Sequence, residues 1–112
     1  MKVKIIAERL QIAPKEVSRL LERGEVRLLD VRGEDERQLA RIEGVPELDE
    51  KLIDEILSGW DRATAIVLHC HSGFRSLDAA RFLIENGFTD VKSMSGGIDR
   101  WSRDVDPSVP RY

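Results

Sequence analysis

The fold is decided by one stretch, Ala65-Ile66-Val67-Leu68-His69-Cys70-His71-Ser72-Gly73-Phe74-Arg75-Ser76. Its first five residues form a short apolar run, which predicts a buried β-strand. The next residues are polar and include a glycine, which predicts a tight loop. From Ser76 onward the apolar residues recur at helical spacing, with a core face made by Ala79, Ala80, Leu83 and Ile84. A buried strand that runs through a short loop into an amphipathic helix is the building unit of α/β proteins.

The rhythm of strands and helices continues on both sides of this stretch. Further strands are predicted at residues 10–12, 26–31 and 91–94, and further helices at 14–24 and 49–58. A short helix that contains Ile98 and Trp101 is predicted after the turn Gly96-Gly97. Asp49 is predicted to cap its helix, and residues 33–44 to be irregular with at most a short helix. This alternation predicts an α/β fold with a parallel sheet covered by helices on both faces. We expect one domain over residues 1–112, with a core at about 10–102 and an extended tail at 103–112, where prolines oppose helix.

Composition narrows the classes of function. With 41% hydrophobic and 35% charged residues, the 112-residue chain has the balance of a globular protein. Its net charge is −3 and it has no basic stripe, so nucleic acid is not expected as a partner. No apolar run approaches the roughly 20 residues that span a bilayer, and the start of the chain does not resemble a signal peptide. A lone cysteine cannot form an intramolecular disulfide, so we expect a free thiol in the reducing cytoplasm.

The loop from Cys70 to Ser76 is the predicted site of chemistry. The first N–H groups of a helix have no partners within the helix, so they bind anions, and Gly73 allows the loop to fold tightly around one. Arg75 adds a positive charge. A thiol in such surroundings is expected to have a lowered pKa and to react as a thiolate nucleophile. Cys70 is therefore the predicted catalytic residue, and residues 71–76 the predicted anion-binding loop.

Two other interpretations of Cys70 compete with this one. It is an inert buried cysteine if nothing in the loop activates it, since free cysteines are often buried. It is a metal ligand only if His69 and His71 join it, but adjacent side chains of an extended chain point to opposite sides. The chain has no other His or Cys to complete such a site, so we expect neither a metal nor a cofactor. His69 is expected to be a core histidine, and His71 to lie at the mouth of the loop.

At these residues the chain resembles the rhodanese family, whose active-site loop begins with a catalytic cysteine and leads into a helix. Three further segments resemble motifs of that family. They are Leu29-Asp30-Val31-Arg32, the turn Gly87-Phe88 before Val91, and Gly96-Gly97-Ile98-Asp99-Arg100-Trp101. The resemblance covers about residues 10–112, and the ending Asp106–Tyr112 is similar to rhodanese modules found beside monothiol glutaredoxins. One stretch departs from the family: Arg41-Ile42-Glu43-Gly44-Val45 stands where many rhodaneses have His-Ile-Pro-Gly-Ala.

The resemblance implies a three-layer α/β sandwich around a mainly parallel sheet of five strands. It also implies a sulfurtransferase, in which Cys70 takes a sulfur atom from a small sulfur-containing anion or a protein persulfide. A thiol or cyanide then accepts that sulfur. In this scheme Arg75 and the loop amides stabilise negative charge, Phe74 forms an apolar rim, and Asp30 and Arg32 support the loop from behind.

Two rival classes of function stay open. One is a docking module that keeps the fold and moves no sulfur. The other is a cysteine phosphatase or arsenate reductase, which also places a thiolate beneath a loop closed by an arginine. Cysteine phosphatases have one residue more than the four, His71 to Phe74, that separate Cys70 from Arg75. The shorter loop favours a single sulfur atom over a phosphoryl group.

Overall fold

The computed structural model of the protein describes residues 9–112. Four strands and five helices are named in this part of the chain. In order they are β1 (Gln11–Ile12), α1 (Pro14–Glu22), β2 (Arg27–Asp30), α2 (Glu34–Leu39), α3 (Glu50–Gly59), β3 (Ile66–His69), α4 (Phe74–Glu85), β4 (Val91–Met94) and α5 (Gly97–Asp104). None of these helices has the length and apolar character needed to cross a membrane.

The strands form a parallel sheet in the order β1-β4-β3-β2. Leu68 of β3 lies between Leu29 of β2 and Ser93 of β4, at the centre of the sheet. Because all strands run the same way, the chain leaves their carboxyl ends at one edge, where α/β sheets bind ligands. The Cys70 loop follows β3 at that edge, so the predicted site lies where the topology favours one.

Helices cover both faces of the sheet and make the three layers. One core cluster joins Val17 of α1 and Ile98 of α5 to sheet residues that include Val67. The other joins Ile56 of α3 and Leu83 of α4 to the opposite face of the sheet. Successive side chains of a strand point to opposite faces, so strands covered on both sides are apolar throughout. The predicted α/β architecture is confirmed.

The expected fifth strand is not formed within residues 9–112. The segment beside β2 makes a single bridge between Asp30 and Glu47. There the Asp30 N–H donates to the Pro46 carbonyl at 2.9 Å, and the Leu48 N–H donates to the Asp30 carbonyl at 2.7 Å. Pro46 has no N–H with which to continue this ladder, so the segment stays a bridge. The five-stranded sheet is therefore corrected to four strands and one bridge.

Several boundaries differ from the predicted ones by one or two residues. The helix after the loop begins at Phe74, before the predicted Ser76, because Gly73 adopts a left-handed conformation (φ 108°) and ends the loop there. The Asp49 cap is confirmed: its carboxylate accepts a hydrogen bond from the Leu52 N–H at 2.8 Å. At the other end of the chain, α5 continues to Asp104, into the segment expected to be extended.

Candidate active site

The thiol of Cys70 lies in a pocket of backbone N–H groups at the start of α4. Its Sγ accepts hydrogen bonds from the N–H of Gly73 at 3.1 Å and from the N–H of Ser76 at 3.4 Å. The residue is only 1% exposed, so the loop encloses the thiol and does not hold it out towards solvent. A group that reacts with this sulfur must therefore be slender enough to enter the loop.

Two buried serines complete the surroundings of the sulfur. The Ser76 hydroxyl lies 3.3 Å from Cys70 Sγ, and its oxygen is 2.7 Å from the hydroxyl oxygen of Ser93. Ser93 comes from β4, and its hydroxyl also reaches the Gly73 carbonyl at 3.4 Å. Sequence reasoning missed Ser93, although a serine within the predicted strand Val91–Met94 was a signal that a polar partner lay nearby.

These contacts shift the pKa of Cys70. Burial is the largest single influence and opposes ionisation, but hydrogen bonds outweigh it. The donors are the Ser76 hydroxyl and the N–H groups of Ser76, Gly73 and Ser72, and all of them favour the thiolate. The pKa of Cys70 therefore lies below its ordinary value, as expected for a nucleophile.

This shift predicts the pH dependence of alkylation. Because a lowered pKa keeps the thiolate populated at lower pH, the rate of Cys70 alkylation by iodoacetamide should be half-maximal below about pH 8.5, the usual cysteine value. Ser76→Ala removes a donor that favours the thiolate, so its half-maximal pH should rise, and its rate at pH 7 should fall about threefold to tenfold. Ser58→Ala, on an exposed part of α3, is the matched control. Coinciding profiles of wild type and Ser76→Ala would contradict the prediction.

The floor of the loop is made by the start of α5. The Ile98 N–H donates to the Cys70 carbonyl at 2.8 Å, and the Asp99 N–H donates to the His71 carbonyl at 3.2 Å. Gly97 lies against the same two carbonyl oxygens, where a Cβ atom would be 2.4 Å from each. The glycine at position 97 therefore allows the backbone of α5 to lie close to the backbone of the loop, and this contact shapes the loop that holds the thiol.

Behind the site lies a buried ionic cluster. The Asp30 carboxylate accepts hydrogen bonds from Arg32 Nε at 3.0 Å, Arg32 Nη2 at 2.8 Å and Arg37 Nη1 at 2.9 Å. Burial alone would raise the pKa of Asp30, but hydrogen bonds to Arg32, together with charge interactions with His69 and Arg32, outweigh burial and lower it. Asp30, the last residue of β2, and Arg32, two residues further along the chain, thus form a buried ion pair.

His69 is a core residue at the end of β3, next to this cluster. Its Nε2 is 3.7 Å from the Asp30 carboxylate and has no hydrogen-bond partner among the described residues. Burial lowers the pKa of His69 to about 4, so the ring is neutral at pH 7. A neutral ring contributes no charge that would stabilise the thiolate.

The rim of the site is built by α2 and the end of the chain. Arg75 forms two hydrogen bonds with the Glu36 carboxylate, at 2.5 and 2.9 Å, and is about half exposed. The Arg75 guanidinium is the main reason why the pKa of Glu36 falls to about 2, and Glu36 in turn raises the pKa of Arg75. Sequence reasoning placed Arg75 at the loop but missed Glu36, which lies in the stretch 33–44 that was expected to be irregular with at most a short helix.

The remaining predicted residues lie around the opening. His71 stacks on the Tyr112 ring, with centroids 4.1 Å apart. Phe74 projects outward and is 78% exposed, and Ser72 is also exposed. Residues 9–112 contain no group of three metal-ligating side chains placed to hold an ion.

Comparisons with known proteins agree with this architecture. The model of a family described as Rhodanese-like domain matches residues 13–104. Thiosulfate sulfurtransferase GlpE of Pseudomonas aeruginosa is 32% identical over 98 residues, which cover 88% of this chain and 87% of that protein. The solution structure of the rhodanese-like domain of an Anabaena protein has a TM-score of 0.72 at 24% identity, covering 84% of this chain and 74% of that one.

A longer relative is also similar over nearly the whole chain. Adenylyltransferase and sulfurtransferase MOCS3-1 of Zea mays is 36% identical over an alignment of 118 residues, which covers 98% of this chain. The alignment covers 25% of the maize protein, so the chain spans about a quarter of that relative's length.

Proposed function

Because this chain belongs to the rhodanese family of sulfurtransferases, we propose that it relays sulfane sulfur through a persulfide on Cys70. The observation that carries the proposal is the position of Cys70 Sγ, which accepts hydrogen bonds from two backbone N–H groups at the start of α4. Donors aimed at a buried sulfur stabilise the negative charge of a thiolate and of the persulfide that replaces it. Residues 1–112 are proposed to act as one domain around this site.

The reaction takes place in two displacements. The Cys70 thiolate attacks the outer sulfur of a donor such as thiosulfate, a new S–S bond forms, and sulfite leaves with the electron pair of the broken bond. An acceptor nucleophile such as cyanide then attacks the outer sulfur of the persulfide. Thiocyanate forms, and the Cys70 thiolate is released with its electron pair. No net redox change is required, and the enzyme returns to its starting state.

The residues of the loop have distinct proposed roles in these steps. The N–H groups of Gly73 and Ser76 hold the reacting sulfur, and the Ser76 hydroxyl adds a third donor. Arg75, at the rim, attracts an anionic donor, while the exposed Phe74 forms an apolar edge to the opening. Asp30 and Arg32 hold the end of β2 behind the loop.

The proposed donors follow from the burial of the sulfur and from the relatives. The name of the Pseudomonas protein includes thiosulfate, a small anion that is slender enough to reach a recessed sulfur. A persulfide on a partner protein is the second proposed donor, and cyanide or a thiol the proposed acceptor. A reducing compartment such as the cytoplasm would keep the single thiol free for this chemistry.

The proposal is tested by intact mass spectrometry. The protein is incubated with thiosulfate, and in a parallel sample with a small-molecule persulfide, and then weighed. A gain of one sulfur atom is expected, and cyanide should remove it as thiocyanate. Protein alkylated at Cys70 beforehand is the control and should gain nothing. If folded protein takes sulfur from neither donor, the proposal fails and the docking-module hypothesis takes its place.

A second assay on the same protein sample tests the phosphatase hypothesis. Hydrolysis of p-nitrophenyl phosphate is expected to stay at the level of the alkylated control, since the loop is one residue shorter than in cysteine phosphatases. Phosphate release that depends on Cys70 and exceeds thiocyanate formation would replace the sulfurtransferase assignment.

A further inference from the structure

The end of the chain folds back onto the site by a series of specific contacts. The Ser102 hydroxyl on α5 donates to the Val109 carbonyl at 2.6 Å, and the Val109 side chain is buried in the core. Arg111 Nε then donates a hydrogen bond to the Asp99 carboxylate at 2.9 Å. These contacts bring Tyr112 over the loop that contains His71, although 41 positions separate the two residues (112 − 71).

Tyr112 makes three contacts at this position. Its ring stacks on the His71 imidazole with an interplanar angle of 13°. Its hydroxyl accepts a hydrogen bond from Arg32 Nη1 at 2.8 Å and donates one to Glu36 Oε2 at 2.7 Å. One side chain therefore contacts the buried ionic cluster, the carboxylate that holds Arg75, and the catalytic loop.

The chemistry of the groups fixes the direction of these hydrogen bonds. A guanidinium only donates and a carboxylate only accepts, so the single hydroxyl proton of Tyr112 must point to Glu36. Arg32 is immobile, since its other nitrogens bond Asp30 and the Ala40 carbonyl in the interior. The Tyr112 hydroxyl thereby ties Glu36, on the short helix α2, to a fixed point of the fold.

Glu36 transmits this constraint to the loop. Its carboxylate binds Arg75 through both oxygens, so the orientation of the guanidinium depends on the orientation of the carboxylate. An exposed ion pair alone holds two flexible side chains weakly. The additional bond from a fixed hydroxyl restricts the pair to one arrangement before any donor arrives.

We propose that Tyr112 is a positioning residue for sulfur transfer, which orients Arg75 through Glu36 and so prepares the rim of the Cys70 loop for an anionic donor. Its role rests on the proposed function, because the donor it serves is the anion that Cys70 attacks. Tyr112 does not touch the sulfur. Its hydroxyl affects donor binding, while the chemistry at Cys70 Sγ depends on the loop amides.

The test compares Tyr112→Phe with the wild type by steady-state kinetics. The phenylalanine keeps the ring that stacks on His71 and removes only the hydroxyl. The KM for thiosulfate is expected to rise about threefold to tenfold, as for loss of one hydrogen bond of ordinary strength, while kcat changes less than about twofold. Ser58→Ala is the control, since it removes an exposed hydroxyl whose hydrogen bonds go to Asp54 and Glu55 of the same helix. Its KM is expected to stay within about twofold of wild type.

A double-mutant cycle identifies the path of the effect. In a Glu36→Gln background, Tyr112→Phe should change the KM less than about twofold, because the carboxylate through which the hydroxyl acts is absent. A Tyr112→Phe KM equal to that of wild type would overturn the inference. So would an effect of undiminished size in the Glu36→Gln background, or an equal effect of Ser58→Ala.

A binding measurement separates this inference from the proposed function. Sulfite, the anion that leaves in the first step, should protect Cys70 from iodoacetamide, and Tyr112→Phe should require about threefold to tenfold more sulfite for half-protection. If sulfite protects both proteins equally or neither, the inference fails even when the wild type transfers sulfur. If Tyr112→Phe weakens protection but no persulfide ever forms, the positioning role stands and the proposed function fails.

Discussion

Cys70→Ser is expected to lower thiosulfate:cyanide sulfur transfer by at least about a thousandfold, as removal of a nucleophile does in other covalent enzymes. The chain has no second cysteine to take over the sulfur. A serine hydroxyl is not ionised at neutral pH by the hydrogen bonds that lower the pKa of Cys70, and it cannot carry a persulfide. The loss should therefore be in kcat, with no sulfur gained in the mass spectrum.

The substitution is expected to leave the fold nearly unchanged. The two N–H groups that bond Cys70 Sγ can donate to a serine oxygen instead, so no buried donor is left without a partner. The free energy of unfolding in urea should stay within about 1–2 kcal/mol of wild type. Transfer by the Cys70→Ser protein at more than a small percentage of the wild-type rate would remove Cys70 from the proposed reaction.

The second large effect is expected for Gly97→Ala, which should destabilise the fold and impair the site together. Gly97 has a φ of 60°, a conformation that costs an alanine about 1–2 kcal/mol. Its new Cβ would also lie 2.4 Å from the carbonyl oxygens of Cys70 and His71. Both oxygens belong to backbone, so the methyl group can be accommodated only if α5 or the loop moves. Overpacking adds about 1–3 kcal/mol, for a total of about 2–5 kcal/mol.

The effect of Gly97→Ala on the site follows from the same displacement. Movement of α5 stretches the bonds that Ile98 and Asp99 make to the loop carbonyls, and the loop amides then no longer aim at the sulfur. Urea unfolding should show the loss of stability, and iodoacetamide alkylation of the still-folded protein should show a raised half-maximal pH for Cys70. Gly59→Ala is the matched control, because a Cβ there meets nothing within 4 Å and its φ is not positive. If Gly97→Ala is as stable as Gly59→Ala, the close approach does not constrain the loop.

Local patterns were sufficient to predict the elements that present the thiol. The apolar run before Cys70, the glycine within the loop and the spacing of Ala80 and Leu83 each depend on neighbours a few residues away. The Asp49 cap was predictable for the same reason, since its partner is the N–H of Leu52. For residues 9–112 the count of five strands was wrong because it came from the family resemblance, and no local pattern marks a segment with Pro46 as a full strand.

The sequence by itself determined that this protein is an α/β domain with one cysteine between a buried strand and a helix. Only the tertiary structure decided what surrounds that cysteine. The Ser93 hydroxyl comes from a strand 17 positions beyond Ser76, Glu36 reaches Arg75 across 39 positions, and Arg32 reaches Tyr112 across 80. Such pairs leave no periodic signal, because they depend on the order of strands in the sheet and on where the chain folds back. The burial of Cys70 likewise results from the packing of the loop against α5, and it could not be predicted from any single stretch of sequence.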